Sequence, residues 1–158
     1  MRLSTRGEYG VRAMVALARL YGGSPISLTE VAASETISLS YLEQLVATLR
    51  RAGLVTAVRG ASGGYRLARP PSEITIGDVV RPLESVSLTS CTDTKGSRDC
   101  CKRRPDCATR DFWRSVNARL LDSLDNTTLA DLILHNGLQP NEPHPGSCQV
   151  AAAARASG

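Results

Sequence analysis

The chain has 158 residues, 42% of them hydrophobic and 22% charged, a size that suits one ordinary domain or a small domain with an appendage and excludes a large multidomain enzyme. Aromatic residues make up only 4%, so the core has to be aliphatic, which favours packed helices over a β-sandwich. The net charge of +4 is unevenly placed: residues 1–70 carry nine Lys and Arg against four Asp and Glu, residues 71–158 ten against eleven, so the N-terminal half is the part suited to an anionic partner.

Val11, Met14, Val15 and Ala18 recur at helical spacing between Arg6 and Tyr21, and Thr5 with Glu8 has the spacing of a capping box, which predicts a first helix. Gly22, Gly23, Ser24 and Pro25 end it, and a second box pattern, Ser27 with Glu30, opens a short helix reaching about Ser34. A third, Ser40 with Glu43, precedes Leu42, Leu45, Val46 and Leu49, which lie on one helical face. Basic Arg50 and Arg51 and then Gly53 supply a C-terminal stop. Leu54 to Val58 and Tyr65 to Leu67 read as strands joined by a hairpin-length Gly-rich loop. Pro70 and Pro71 mark a joint. Ile74 to Val86 follows as a short amphipathic segment capped by Thr75 and kinked at Pro82. Beyond the Cys-rich stretch 88–107, Phe112, Trp113, Val116, Leu120 and Leu124 predict a long helix over 109–124, and Thr128 to His135 a last one. The tail from 137 holds little that a core would bury and is expected to be disordered.

The expected fold class is therefore mainly α with a small β-hairpin: helix, helix, helix, hairpin, the order of a winged helix-turn-helix over 1–70. The connecting segment is 71–87, the Cys loop 88–107, and the helical region 108–136. In such a fold the start of the third helix enters the major groove, which makes Ser38, Ser40, Tyr41, Glu43 and Gln44 the candidate base-facing residues. Gln44 suits adenine and Glu43 suits the cytosine amino group. Ser40 and Glu43 serve equally as a capping box. Arg59 at the hairpin tip, flanked by Gly60, is suited to a narrow minor groove, and Arg2, Arg6, Arg50, Arg51 and Arg66 are candidates for phosphate contact.

Four of the five cysteines lie between Cys91 and Cys107, an odd and crowded set unlike a disulfide framework. Their spacing, C-x8-C-C-x5-C, lacks the paired C-x2-C units of a zinc ribbon. Cys91, Cys100 or Cys101, and Cys107 could converge on one iron–sulfur cluster. A thiol oxidoreductase built on Cys100 and Cys101 is disfavoured, since no C-x-x-C and no catalytic His/Asp set accompanies the pair; no enzyme is expected. No signal-like segment or membrane-length apolar run occurs, so a cytoplasmic protein is expected.

The segments MRLSTRGEYGVRAM (1–14), ISLSYLEQLVATLRRAGLV (37–55), VRGASGGYRL (58–67), ITIGDVVRPLESV (74–86) and CATRDFWRSVNARLLDSLDNTTLADL (107–132) resemble the IscR/NsrR/CymR family of winged-helix transcriptional regulators over about residues 1–136. The resemblance implies a homodimeric repressor on a pseudo-palindromic DNA operator, with the long helix pairing across the dimer. It also supports Glu43 as a base discriminator and Arg59 as the minor-groove residue. It implies Cys91, Cys101 and Cys107 as cluster ligands, with Cys100 the alternative to Cys101. Arg110 stands where cluster-binding relatives have a histidine and cannot ligate. Glu8 of the partner subunit is the candidate fourth ligand, its rival role being the cap with Thr5. His135 and His144 are poorer candidates, and Cys148 is read as a tail thiol. The overall resemblance favours a 2Fe–2S cluster, and the carboxylate ligand would favour 4Fe–4S. A cluster-free branch, thiol-based or controlled by a partner enzyme, is the alternative.

Overall fold

The computed structural model describes residues 4–60, 62–89 and 107–138. Helices α1 (Thr5–Arg19), α2 (Leu28–Glu35) and α3 (Leu39–Arg51) precede the antiparallel hairpin β1 (Val55–Val58) and β2 (Gly64–Leu67), in which Val55 pairs with Leu67 and Val58 with Gly64. A 3-10 turn at Pro71–Glu73 leads into α4 (Ile76–Val80), and α5 (Arg110–Asp125) and α6 (Leu129–Leu138) complete the described chain.

The capping boxes separate by local geometry. Ser27 and Glu30 form a reciprocal box at α2, and Thr75 and Asp78 another at α4. The box expected between Thr5 and Glu8 is absent. Extended Ser4 is the N-cap and its hydroxyl accepts from the Gly7 N–H, so Thr5 already lies inside the helix. The box expected between Ser40 and Glu43 is absent for the same reason: the chain is extended at Ser38, which caps α3 positionally without a side-chain bond. Thr128 and Asp131 form a box that the sequence reading missed: the Thr128 N–H donates to Asp131 Oδ2 at 2.8 Å and the Asp131 N–H to Thr128 Oγ1 at 3.2 Å. Pro82 stops α4 rather than kinking a longer helix, because α4 ends at Val80. Gly53 takes φ 74 just past α3, the left-handed conformation expected of it.

The core is aliphatic and continuous. Met14 from α1, Val31 from α2, Leu42, Leu45 and Leu49 from α3, Leu54 and Leu67 at the hairpin, Ile74, Val79 and Val80 around α4, and Leu129 from α6 all belong to it. Gly10 allows the turn after α4 to approach α1, since a Cβ there would collide with Leu83. Helix α6 joins this core through backbone bonds: the Ile76 N–H donates to Thr127 O at 2.8 Å and the Leu129 N–H to Ile74 O at 2.9 Å. The hairpin is extended by a bridge in which Ile26 and Tyr65 exchange backbone bonds of 3.1 and 2.8 Å. No helix of the described residues is long and apolar enough to cross a membrane.

Candidate nucleic-acid interface and cysteine site

Helix α3 is amphipathic in the sense a groove-reading helix requires. Leu42, Leu45, Val46 and Leu49 are buried, while Ser38, Ser40, Glu43 and Gln44 are exposed. With no capping box at this helix, the carboxylate of Glu43 and the hydroxyl of Ser40 are not spent on its first turn. Tyr41 departs from the others: it is half-buried and packs edge-on against Tyr9 of α1, ring centroids 6.1 Å apart, so much of its ring belongs to the scaffold.

Three side chains of α1 and α2 that the sequence reading did not single out hold this helix in place. The Arg12 guanidinium lies 5.4 Å from the Tyr9 ring centroid, pairs through Nε with Glu35 Oε2 at 3.0 Å, and donates through Nη2 to the Glu35 carbonyl. Glu35 ends α2, and Thr36 follows in the left-handed conformation at φ 56. Tyr9, Arg12 and Glu35 thus fasten both ends of the turn between α2 and α3 to α1. Sequence signals for them exist only as a Tyr–Arg spacing of three on α1, which becomes meaningful once the partners are known.

Arg59 is exposed at the end of β1 beside Gly60, whose φ of 121 turns the wing tip. Arg6 on α1, Arg50 on α3 and Arg66 on β2 are exposed. Arg51 folds back on α3, donating to Ala47 O and Thr48 Oγ1, both at 3.3 Å. Arg2 lies outside the described residues.

At the second site, Cys91, Cys100, Cys101, His144 and Cys148 lie outside the described residues, and His135 falls on α6. Cys107 is half-buried immediately before α5, with Sγ 3.5 Å from Thr109 Oγ1 and its carbonyl accepting from the Arg110 N–H at 3.1 Å. At the other end of the Cys segment the Leu88 N–H donates to Asn117 Oδ1 at 3.0 Å, and Asn117 is the buried polar residue of α5. Both feet of the segment therefore stand on one helix. Glu8 is exposed on α1. The segment before the Cys loop also reaches α1, because Glu84 Oε2 accepts from the Ser4 N–H at 3.2 Å and so places a carboxylate at the helix N-terminus. Among the described residues no three His, Cys, Asp or Glu side chains come together as a metal site.

The soft, clustered donor set and the half-buried Cys107 fit a thiolate-held iron–sulfur group. Helix α5 leaves Phe112 60% and Trp113 37% exposed, stacked edge to face 5.1 Å apart. Arg81 and Asp125 pair at 2.5 Å where α4 meets the end of α5, and the hydrogen bond from Arg81 holds the Asp125 carboxyl below the usual carboxylate range.

The chain is similar in sequence and in fold to known proteins. The profile of the Rrf2 family, described as an iron-dependent transcriptional regulator, matches residues 3–135. The HTH-type transcriptional regulator IscR of Vibrio cholerae is 42% identical over 137 residues, covering 86% of this chain and 77% of that protein. Among solved structures, T. potens IscR superposes with a TM-score of 0.72 at 38% identity over 90% of this chain and 94% of that one. CymR, the global cysteine regulator of B. subtilis, does so with 0.71 at 38% identity over 85% and 98%. The chain therefore belongs to the Rrf2 family of winged-helix transcriptional regulators.

Proposed function

We propose that this chain is a cytoplasmic, homodimeric repressor that binds pseudo-palindromic duplex DNA and whose binding depends on an iron–sulfur cluster. Cys91, Cys101 and Cys107 hold the cluster, Cys100 being the alternative to Cys101. Glu8 of the partner subunit is the fourth ligand. The absence of a Thr5–Glu8 capping box supports that role, since it leaves the Glu8 carboxylate uncommitted at the helix start. When bound, the cluster supplies sensitivity to redox state and to small oxidants such as nitric oxide. The 2Fe–2S form is our first assignment and 4Fe–4S the second.

On DNA, Ser38, Ser40, Glu43 and Gln44 face the major groove with the uncovered part of Tyr41 beside them, Arg59 the minor groove, and Arg2, Arg6, Arg50, Arg51 and Arg66 the phosphates. Dimerisation would cover the Phe112 and Trp113 face of α5.

The observation that carries the reading is the attachment of both ends of the four-cysteine segment to α5, at Asn117 and before Arg110. A change within that segment is then felt by α5. Anaerobically purified protein is expected to be coloured, with iron and acid-labile sulfide in equal amounts. Cys91→Ala, Cys101→Ala and Cys107→Ala should lose the colour and change DNA binding. Colourless, iron-free protein from iron-replete anaerobic cells would favour a second reading, a cluster-free repressor. The structural likeness to CymR supports that alternative.

A further inference from the structure

Six large hydrophobic side chains are exposed among the described residues: Leu20, Tyr21, Leu39, Phe112, Trp113 and Leu134. Leu39 alone of these lies on α3. The other leucines of that helix, Leu42, Leu45 and Leu49, are at most 1% exposed, whereas Leu39 is 39% exposed and stands outside the buried core. Its position explains why. Leu39 is the first residue of α3, three before Leu42 and four before Glu43, so it sits at the border of the buried face and on the same flank as Glu43, one turn nearer the helix start.

We propose that Leu39 is a specificity-determining residue that reads a thymine through its C5-methyl group, beside the base pair reached by Glu43. The proposal rests on α3 being the recognition helix. A leucine side chain has no donor or acceptor, so it gains nothing from the hydrogen-bonding pattern on the base edges. The thymine methyl is the apolar group that the four base pairs display in the major groove, and contact with it withdraws two apolar surfaces from water at once. Glu43 and Leu39 then form a mixed reader: a carboxylate for an amino donor, and an aliphatic group for the methyl on a neighbouring pair. One helical turn rises about 5.4 Å and one base step about 3.4 Å, which sets the methyl within about two base pairs of the position Glu43 reads.

Uracil differs from thymine by that methyl alone, so it tests the contact without altering the protein. Duplexes enriched from a random pool by the full-length, anaerobically purified chain are resynthesised with uracil replacing one thymine at a time. One thymine in each half-site is expected to show about fourfold weaker binding on replacement, the effect of one methyl-sized group losing apolar contact. It should lie within about two base pairs of the position at which Glu43→Ala relaxes selection. Leu39→Ala and Leu39→Gln should bind the thymine and uracil duplexes equally there and keep their other preferences. The proposal is overturned if uracil is silent at every thymine near that position, if no thymine is selected there, or if the methyl effect survives in both Leu39 variants. If the duplex pool yields no preferred sequence, the recognition-helix reading falls as well. If Glu43→Ala and Gln44→Ala relax selection while uracil is silent, Leu39 alone is excluded.

Discussion

Helices α3 and α5 share the same apolar periodicity and end in opposite surroundings. In α3 the leucines at 42, 45 and 49 are sealed against α1, α2 and the hairpin. In α5, Asn117 is the buried residue, while Phe112 and Trp113 face outward and Val116, Leu120 and Leu124 are half-covered. Periodicity reports that a helix has a face to bury; it does not report whether the same chain supplies the cover. Substitutions in α3 are therefore expected to act on fold stability, and those in α5, on the dimer proposed above, on association.

The largest expected effect is on the core side. Leu45→Ala should cost about 2–5 kcal/mol in denaturant unfolding, because the site is enclosed on several sides and cannot collapse fully. Phe112→Ala should leave the secondary structure and core packing of dilute protein intact while lowering its mass in sedimentation. Loss of fold comparable with Leu45→Ala would break the contrast.

Asn117→Ala comes next, at about 1–1.5 kcal/mol, since the half-buried Leu88 N–H loses its acceptor. Faster amide exchange at Leu88 would accompany it, and Asn117→Asp, which keeps an acceptor, should restore protection in part.

Asp125→Asn should cost no more than about 1 kcal/mol, because its pair with Arg81 is more than two-fifths exposed on both sides. Its sign with pH is definite. The folded-state carboxyl is held low first by the Arg81 hydrogen bond and then by attraction to the same charge, against desolvation. The stability it contributes is complete above the unfolded value and disappears as pH falls through the lowered folded one. Urea midpoints from neutral to acid pH should therefore fall less steeply in Asp125→Asn.

The smallest effect runs the other way. Thr36→Gly should raise the urea midpoint, by up to about 1 kcal/mol in unfolding free energy, because relief of a β-branched residue at φ 56 outweighs the greater freedom of glycine in the unfolded chain.

Much of the fold was legible because it rests on local rules. The i, i+3, i+4 spacing marked α3 and α5, Gly53 marked the end of α3, and the glycine loop marked the hairpin. The S/T-x-x-E pattern was less informative. Ser27 with Glu30 is a capping box, whereas Thr5 and Ser40 are already helical residues, the N-caps being Ser4 and Ser38. The pattern supplies the pair of side chains, but only an extended residue at its first position makes a cap. The contacts of Arg12 with Glu35, of Asn117 with Leu88 and of Thr128 with Thr75 join residues distant in sequence, and no local spacing encodes them. Of the cysteine ligands proposed, the described residues include Cys107, at the foot of α5.

The attachment of α6 to the core has a mechanical consequence. With Leu129 buried, Asp125 tied to Arg81 and Leu124 packed on the core, the C-terminal end of α5 is a fulcrum, and its 16 residues extend about 24 Å from it. Over that length a tilt of about 5° displaces the far tip by about 2 Å. A small displacement imposed at the Cys107 end would therefore be expected to load α4 and, through Leu83 against Gly10, α1, whose Tyr9 and Arg12 hold the turn before α3.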